Sequence, residues 1–173
     1  AKQLYRAGLA ELELSKLPLD EILVSNDSSQ PLLAGFVQKG FQQLSVFTGL
    51  VQLPEQELLS RVRAGNFKAA IIPLSASYSS PDAVLSYYRT GAAENFSGYS
   101  NESFDALLDS VSTLDGTARY ETYAQAERFL LSDGAVIPLY FETSYYATAK
   151  GVSGVEFSPF LSNVYFKYAR KQS

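Results

Sequence analysis

Residues 19–74, LDEILVSNDSSQPLLAGFVQKGFQQLSVFTGLVQLPEQELLSRVRAGNFKAAIIPL, decide the fold. LDEILVS (19–25) reads as a first strand. Ser28 and Ser29 are placed to cap the helix that follows, Pro31 sits near its start, and Leu33, Phe36, Val37, Phe41 and Leu44 recur at helical spacing. This apolar face is expected to pack on a sheet. Residues 46–52 read as a second strand, and Pro54 opens a short helix with Leu58, Leu59 and Val62 turned inward. Gly65 ends that helix before a third strand, FKAAIIPL, at 67–74. A β-α-β-α-β run predicts an α/β fold.

Working outward, Pro81 and Asp82 start a short helix, and Phe104, Leu107, Leu108 and Val111 form the stripe of another. Asp115 is expected to cap the next, with Tyr120, Tyr123, Ala126 and Leu130 inward and Gly134 at its left-handed end. Strands are expected within 135–149 and 163–168, joined by the loop-rich KGVSGVEFSPF. No internal repeat, low-complexity tract or interdomain linker stands out, so residues 1–173 read as one domain. A helix beginning abruptly at Ala1 reads as chain cut from a longer protein.

Composition excludes several function classes. The 173 residues carry a net charge of -4, and no Lys/Arg run exceeds two, which argues against a nucleic-acid or anionic-membrane surface. His, Cys, Trp and Met are absent, which removes the thiolate nucleophile, the imidazole base, the Cys/His zinc site and any disulfide. No apolar run approaches a membrane span, no signal peptide is present, and no cofactor is implied.

Four segments then follow in a fixed order: SASYSSPDAVLSYYRTG (75–91), ENFSGYSNESFDALLDSV (94–111), LDGTARYETYAQAERFLLSDG (114–134) and AVIPLY (135–140). With AKQLYRAGL at the start and RVRAGNFKAAI in the middle, they resemble the C-terminal lobe of the peptide/nickel-type, family 5 extracellular solute-binding proteins of bacterial ABC importers. The matching positions include Asn95, Gly98, Tyr99, Ser100, Asn101, Phe104, Asp105, Arg119, Tyr123, Glu127, Pro138 and Tyr140. Each piece alone would be weak, but four in order over about 65 residues are specific.

The resemblance implies one lobe of a type II periplasmic-binding fold with a central mixed sheet flanked by helices, a first lobe that would precede Ala1, and a function in transport. Such a lobe captures a peptide or other small solute outside the cytoplasm, in a periplasm or as a cell-surface lipoprotein. It closes with its partner lobe and delivers the ligand to membrane permease subunits. It is not an enzyme. Two other readings stand beside it: the ligand-sensing lobe of a transcription regulator, and binding of an oligosaccharide or other small solute.

Open α/β sheets bind ligands outside the carboxyl ends of their strands, which points to Leu74, Ser75, Ser77, Tyr78 and Ser79. In the family's peptide binders an Asp in this turn pairs with the ligand's α-ammonium group, and an aromatic residue three positions earlier packs nearby. Those positions are Ser77 and Leu74 here. A hydroxyl offers a neutral acceptor, about half as strong as a carboxylate. A buried ammonium without counter-charge costs several kcal/mol. The expectation is that Ser77 does not read a free amino terminus in the usual way. The same S-A-S-Y-S-S-P-D run is also an ordinary polar turn.

Other residues have plainer roles. Asn95 suits the satisfaction of loop backbone groups, and Tyr99 suits a ring anchor with a bonded hydroxyl. Asp105 and Arg119 fit caps and ion pairs. The twelve Tyr and eleven Phe are expected to fill a core that has no Met or Trp, although Tyr87/Tyr88, Tyr145/Tyr146 and Tyr165 to Tyr168 would also serve as a stacking surface. The paired acids Glu11/Glu13, Glu55/Glu57 and Asp105/Asp109 show no sign of a raised pKa or a nucleophile, so catalysis is not expected from them. N-x-S sequons at Asn26, Asn95 and Asn101 matter only in a eukaryotic secretory pathway.

Overall fold

Ile22, Leu23 and Val24 are consecutive and each at most 1% exposed, as a strand covered on both faces requires. They belong to β1 (Glu21–Ser25), which pairs in parallel with β2 (Gly49–Leu53), Glu21 opposite Gly49 and Ser25 opposite Leu53. The computed structural model describes residues 1–27, 29–143, 145–158, 160 and 164–171. It divides into two compact units, Ala1–Pro73 and Leu74–Ser173.

In the first unit, α1 (Lys2–Glu11) buries no side chain. The crossover helix α2 (Gln30–Gln42) lays Leu33, Ala34, Val37 and Phe41 against Ile22, Val24 and Ile71. Phe36 departs from the expected inward stripe and is 62% exposed. It falls outside the row that Leu33, Val37 and Phe41 make at four-residue intervals, which with Ala34 covers the strand. Ser29 stands at the N-cap without a side-chain cap bond, and Ser28 lies outside the described residues. α3 (Glu55–Arg63) buries Leu58 and Val62, as its spacing predicts.

The second strand begins at Gly49 rather than at 46. The expected third strand, 67–74, reduces to one parallel bridge between Leu23 and Ala70, with Leu23 N–H donating to Ala69 O and Ile71 N–H to Leu23 O, both at 2.9 Å. Pro73 has no N–H to extend the ladder.

The second unit is built on helices. α4 (Asp82–Leu85) runs into a 3-10 turn at Ser86–Tyr88; α5 (Glu102–Ser110) runs into another at Val111–Thr113; α6 (Gly116–Ser132) follows. Leu85, Tyr88, Phe104, Leu108, Val111, Tyr123, Ala126 and Leu130 form one core. Tyr120, expected inward, is 62% exposed, one helical turn ahead of Tyr123 on a helix whose buried row starts at that residue. Gly134 closes α6 at φ 70°, where an L side chain would be strained.

Beyond α6 come two short antiparallel pairs. β3 (Val152–Ser153) joins β6 (Arg170–Lys171), and β4 (Glu156–Phe157) joins β5 (Val164–Tyr165). The described residues therefore hold three two-stranded ladders, one parallel and two antiparallel. The α/β class stands, while the strands expected within 135–149 do not form among the described residues. A strand exists by virtue of a partner, none pairs with this segment among the described residues, and Pro138 removes a donor from it. Of the last expected strand, 163–168, Val164–Tyr165 pairs and Asn163 lies outside the described residues.

The aromatic residues divide. Tyr88, Tyr123 and Phe104 fill the core as expected, whereas Tyr140, Phe141, Tyr145, Tyr165, Phe166 and Tyr168 are exposed and so are not core bulk. Tyr146 and Phe157 stack at 4.2 Å between ring centres.

Candidate functional site

The segment Leu74–Ser79 is a polar loop that leads into α4. Leu74, Ser75, Ser77, Tyr78 and Ser79 are all exposed, Leu74 at 46% and Tyr78 at 48%. The loop is held at several points. The Tyr87 hydroxyl donates to Ser75 O at 3.3 Å, and Ser80 N–H donates to Tyr78 O at 3.0 Å. The Tyr78 hydroxyl donates to Asp82 Oδ2 at 2.9 Å. That bond to a carboxylate raises the Tyr78 phenol above its ordinary value.

The base under the loop is packed. Pro81 at the N-cap has φ -55°, matched to its ring, and Ala83, Leu85 and Tyr88 carry α4 and its 3-10 extension into the core. Asn95 organises the next turn. Its Nδ2 donates to Arg89 O at 3.0 Å and Tyr99 O at 2.7 Å, and its Oδ1 accepts from Tyr99 N–H at 3.1 Å. The backbone-satisfying role read for Asn95 is observed, as is the ring-and-hydroxyl role of Tyr99. The Tyr99 hydroxyl donates to Asp133 Oδ2 at 2.8 Å, and its ring meets Phe104 edge-on.

Asp105 Oδ1 accepts from Thr90 N–H at 3.1 Å, and Arg119 Nε donates to Leu114 O at 2.8 Å. Both serve the framework. Asn101, matched by sequence but given no role there, caps α5 by accepting from Ser103 and Phe104 N–H. Its place directly ahead of an apolar helical stripe was the signal. Asp82 was read as a helix starter; it also accepts the Tyr78 hydroxyl from the loop ahead of α4.

Two open cavities, about 400 and 280 Å³, lie in the first unit around Asp20 and Lys68, at the amino-terminal end of β1, and are lined by none of the five candidate residues. Among the described residues no three His, Cys, Asp or Glu side chains converge on a metal position. No described helix is long and apolar enough to cross a membrane.

No family model matches the chain. Dipeptide-binding protein DppE of Bacillus subtilis is 26% identical over 157 residues, covering 90% of this chain and 29% of that protein. The probable D,D-dipeptide-binding periplasmic protein DdpA of Escherichia coli is 28% identical over 145 residues, covering 81% of this chain and 28% of that protein. The substrate-binding domain of an oligopeptide ABC transporter from Bacillus anthracis superposes with a TM-score of 0.84 at 18% identity, over 99% of this chain and 34% of that one. The fold of the chain is thus the periplasmic-binding-protein fold, in the part those proteins share with it. The chain spans under a third of the length of these two relatives, and its homologues include the dipeptide- and oligopeptide-binding proteins of the family 5 solute-binding group.

Proposed function

We propose that this chain is the C-terminal lobe of a two-lobed solute-binding protein that captures oligopeptides outside the cytoplasm and hands them to the permease of an ABC importer. One observation carries the reading. Similarity to proteins named for peptide binding runs through 81–90% of the chain rather than through one motif. The exposed loop at Leu74, Ser75, Ser77, Tyr78 and Ser79 is the ligand-contacting surface of this lobe. Its support is the hydrogen bonding that fixes a polar, solvent-facing turn on a packed base. Both named relatives are binding proteins, which favours a carrier over an enzyme.

Thermal unfolding of the full-length protein with tri-L-alanine or maltotriose tests this. A peptide at 100 times its Kd adds about 2.7 kcal/mol of stability and a visible rise in Tm. A rise with maltotriose alone would replace the peptide reading with the oligosaccharide one.

A further inference from the structure

The chain leaves the second unit's core at Val136. Ala135 and Val136 still pack against that core, whereas every described residue from Ile137 to Lys150 is exposed. IPLYFETSYYATA (137–149) carries a single charge, on Glu142. Ile137 is 72%, Phe141 97% and Tyr145 90% exposed. Among the described residues, 137–143 and 145–148 make no backbone hydrogen bond. An apolar run with open backbone groups has the character of an unpaired strand, since strand edges invite pairing and large apolar patches mark contact surfaces. Pro138 tells its two edges apart. In an extended strand the N–H and C=O of one residue point to the same edge, and those of the next to the opposite one. Ile137, Leu139 and Phe141 therefore share an edge with all its donors, while Pro138, Tyr140 and Glu142 share one that lacks a donor.

We propose that residues 137–142 form a strand whose Ile137–Leu139–Phe141 edge pairs with a strand of the chain that precedes Ala1 in the full-length protein. The inference rests on the two-lobed reading above. Two observations name the occupant. This chain spans 29% and 28% of its two named relatives, so on that reading most of the protein lies outside it. It also superposes over 99% of its length, with a TM-score of 0.84, on the Bacillus anthracis domain, of which it covers 34%. The segment thus follows a path that belongs to a longer chain. Pairing there gives the open N–H and C=O groups their partners and takes Ile137 and Phe141 out of water. With residues 1–173 alone the edge stays open and the side chains stay exposed.

Residue-resolved amide exchange on the ligand-free full-length protein provides the test. The Ile137, Leu139 and Phe141 amides should exchange at least about 100-fold more slowly than in an unstructured peptide, and Tyr140 and Glu142 faster than those three. The pattern should persist at about tenfold lower protein concentration. Photo-cross-linking from Phe141→p-benzoylphenylalanine should yield peptides from before Ala1. Unprotected rates at the three amides, exchange at Tyr140 and Glu142 as slow or slower, or cross-links confined to residues 1–173 would overturn the proposal. Protection that fades on dilution would also overturn it and give the edge to a second copy. The rise in Tm with tri-L-alanine reports separately on the peptide reading. Unprotected amides with that rise intact would remove this pairing alone, whereas protection without the rise would support the pairing and remove the peptide ligand.

Discussion

The Tyr99 hydroxyl donates to Asp133 Oδ2 at 2.8 Å, tying the turn ahead of α5 to the carboxyl end of α6. Asn101 Nδ2 donates to the same oxygen at 2.9 Å, so one carboxylate gathers two side chains from the G-Y-S-N turn. With the Tyr99 ring edge-on to Phe104, this closes the end of the second unit's core.

Burial and the Asp133 carboxylate push the Tyr99 phenol up to about 12. A folded pKa above the unfolded value contributes stability that is complete below the unfolded pKa, near 10, and is lost as pH rises through the folded one. Urea midpoints should therefore fall between pH 10 and pH 12, and Tyr99→Phe should flatten that fall. An equally steep alkaline limb in the variant would remove Tyr99 as its source.

Asn95→Ala should destabilise the chain by about 2 kcal/mol, because it removes several backbone partners at once and each net bond is worth about 1 kcal/mol. Urea denaturation at neutral pH measures it. A loss under about 0.5 kcal/mol would mean that water replaces the side chain at Arg89 O and Tyr99 O.

Phe104 is 0% exposed and Phe141 97% exposed, and the two should part sharply on truncation. Phe104→Ala should cost about 3–5 kcal/mol in transfer and cavity terms, whereas Phe141→Ala should stay within about 0.5 kcal/mol. Comparable losses for the two would show that the segment holding Phe141 is packed in solution.

Gly154 lies at φ 70°, and a Cβ there would run into the Tyr168 carbonyl. Gly154→Ala should open the β3–β6 pair. Faster amide exchange at Val152 and Ser153, with little change at Phe104, is the expected signature. Unchanged exchange would mean that the Tyr168 turn yields to the methyl group.

How much of this was legible in the sequence follows from the range of the interactions concerned. Phe104, Leu108 and Val111 announced a buried face because helix period and helix face are the same geometry. Leu58 and Val62 did likewise. Tyr120 and Phe36 were misread because apolar side chains at nearly the right angle are not distinguished from the covered row by spacing alone. The segment 135–149 looked strand-like, but a strand is completed by a non-local partner, which local composition does not encode. At the candidate site, the polar turn of Ser77 and Tyr78 was visible in its residues. The bond from Tyr78 to Asp82 was not, since it depends on two rotamers as well as on spacing.

The most direct test of peptide capture at this loop is amide exchange on the full-length protein with and without saturating tri-L-alanine. The account predicts slowed exchange at Ser75, Ser77, Tyr78 and Ser79. Peptide binding that slows exchange elsewhere and leaves these amides unchanged would contradict it.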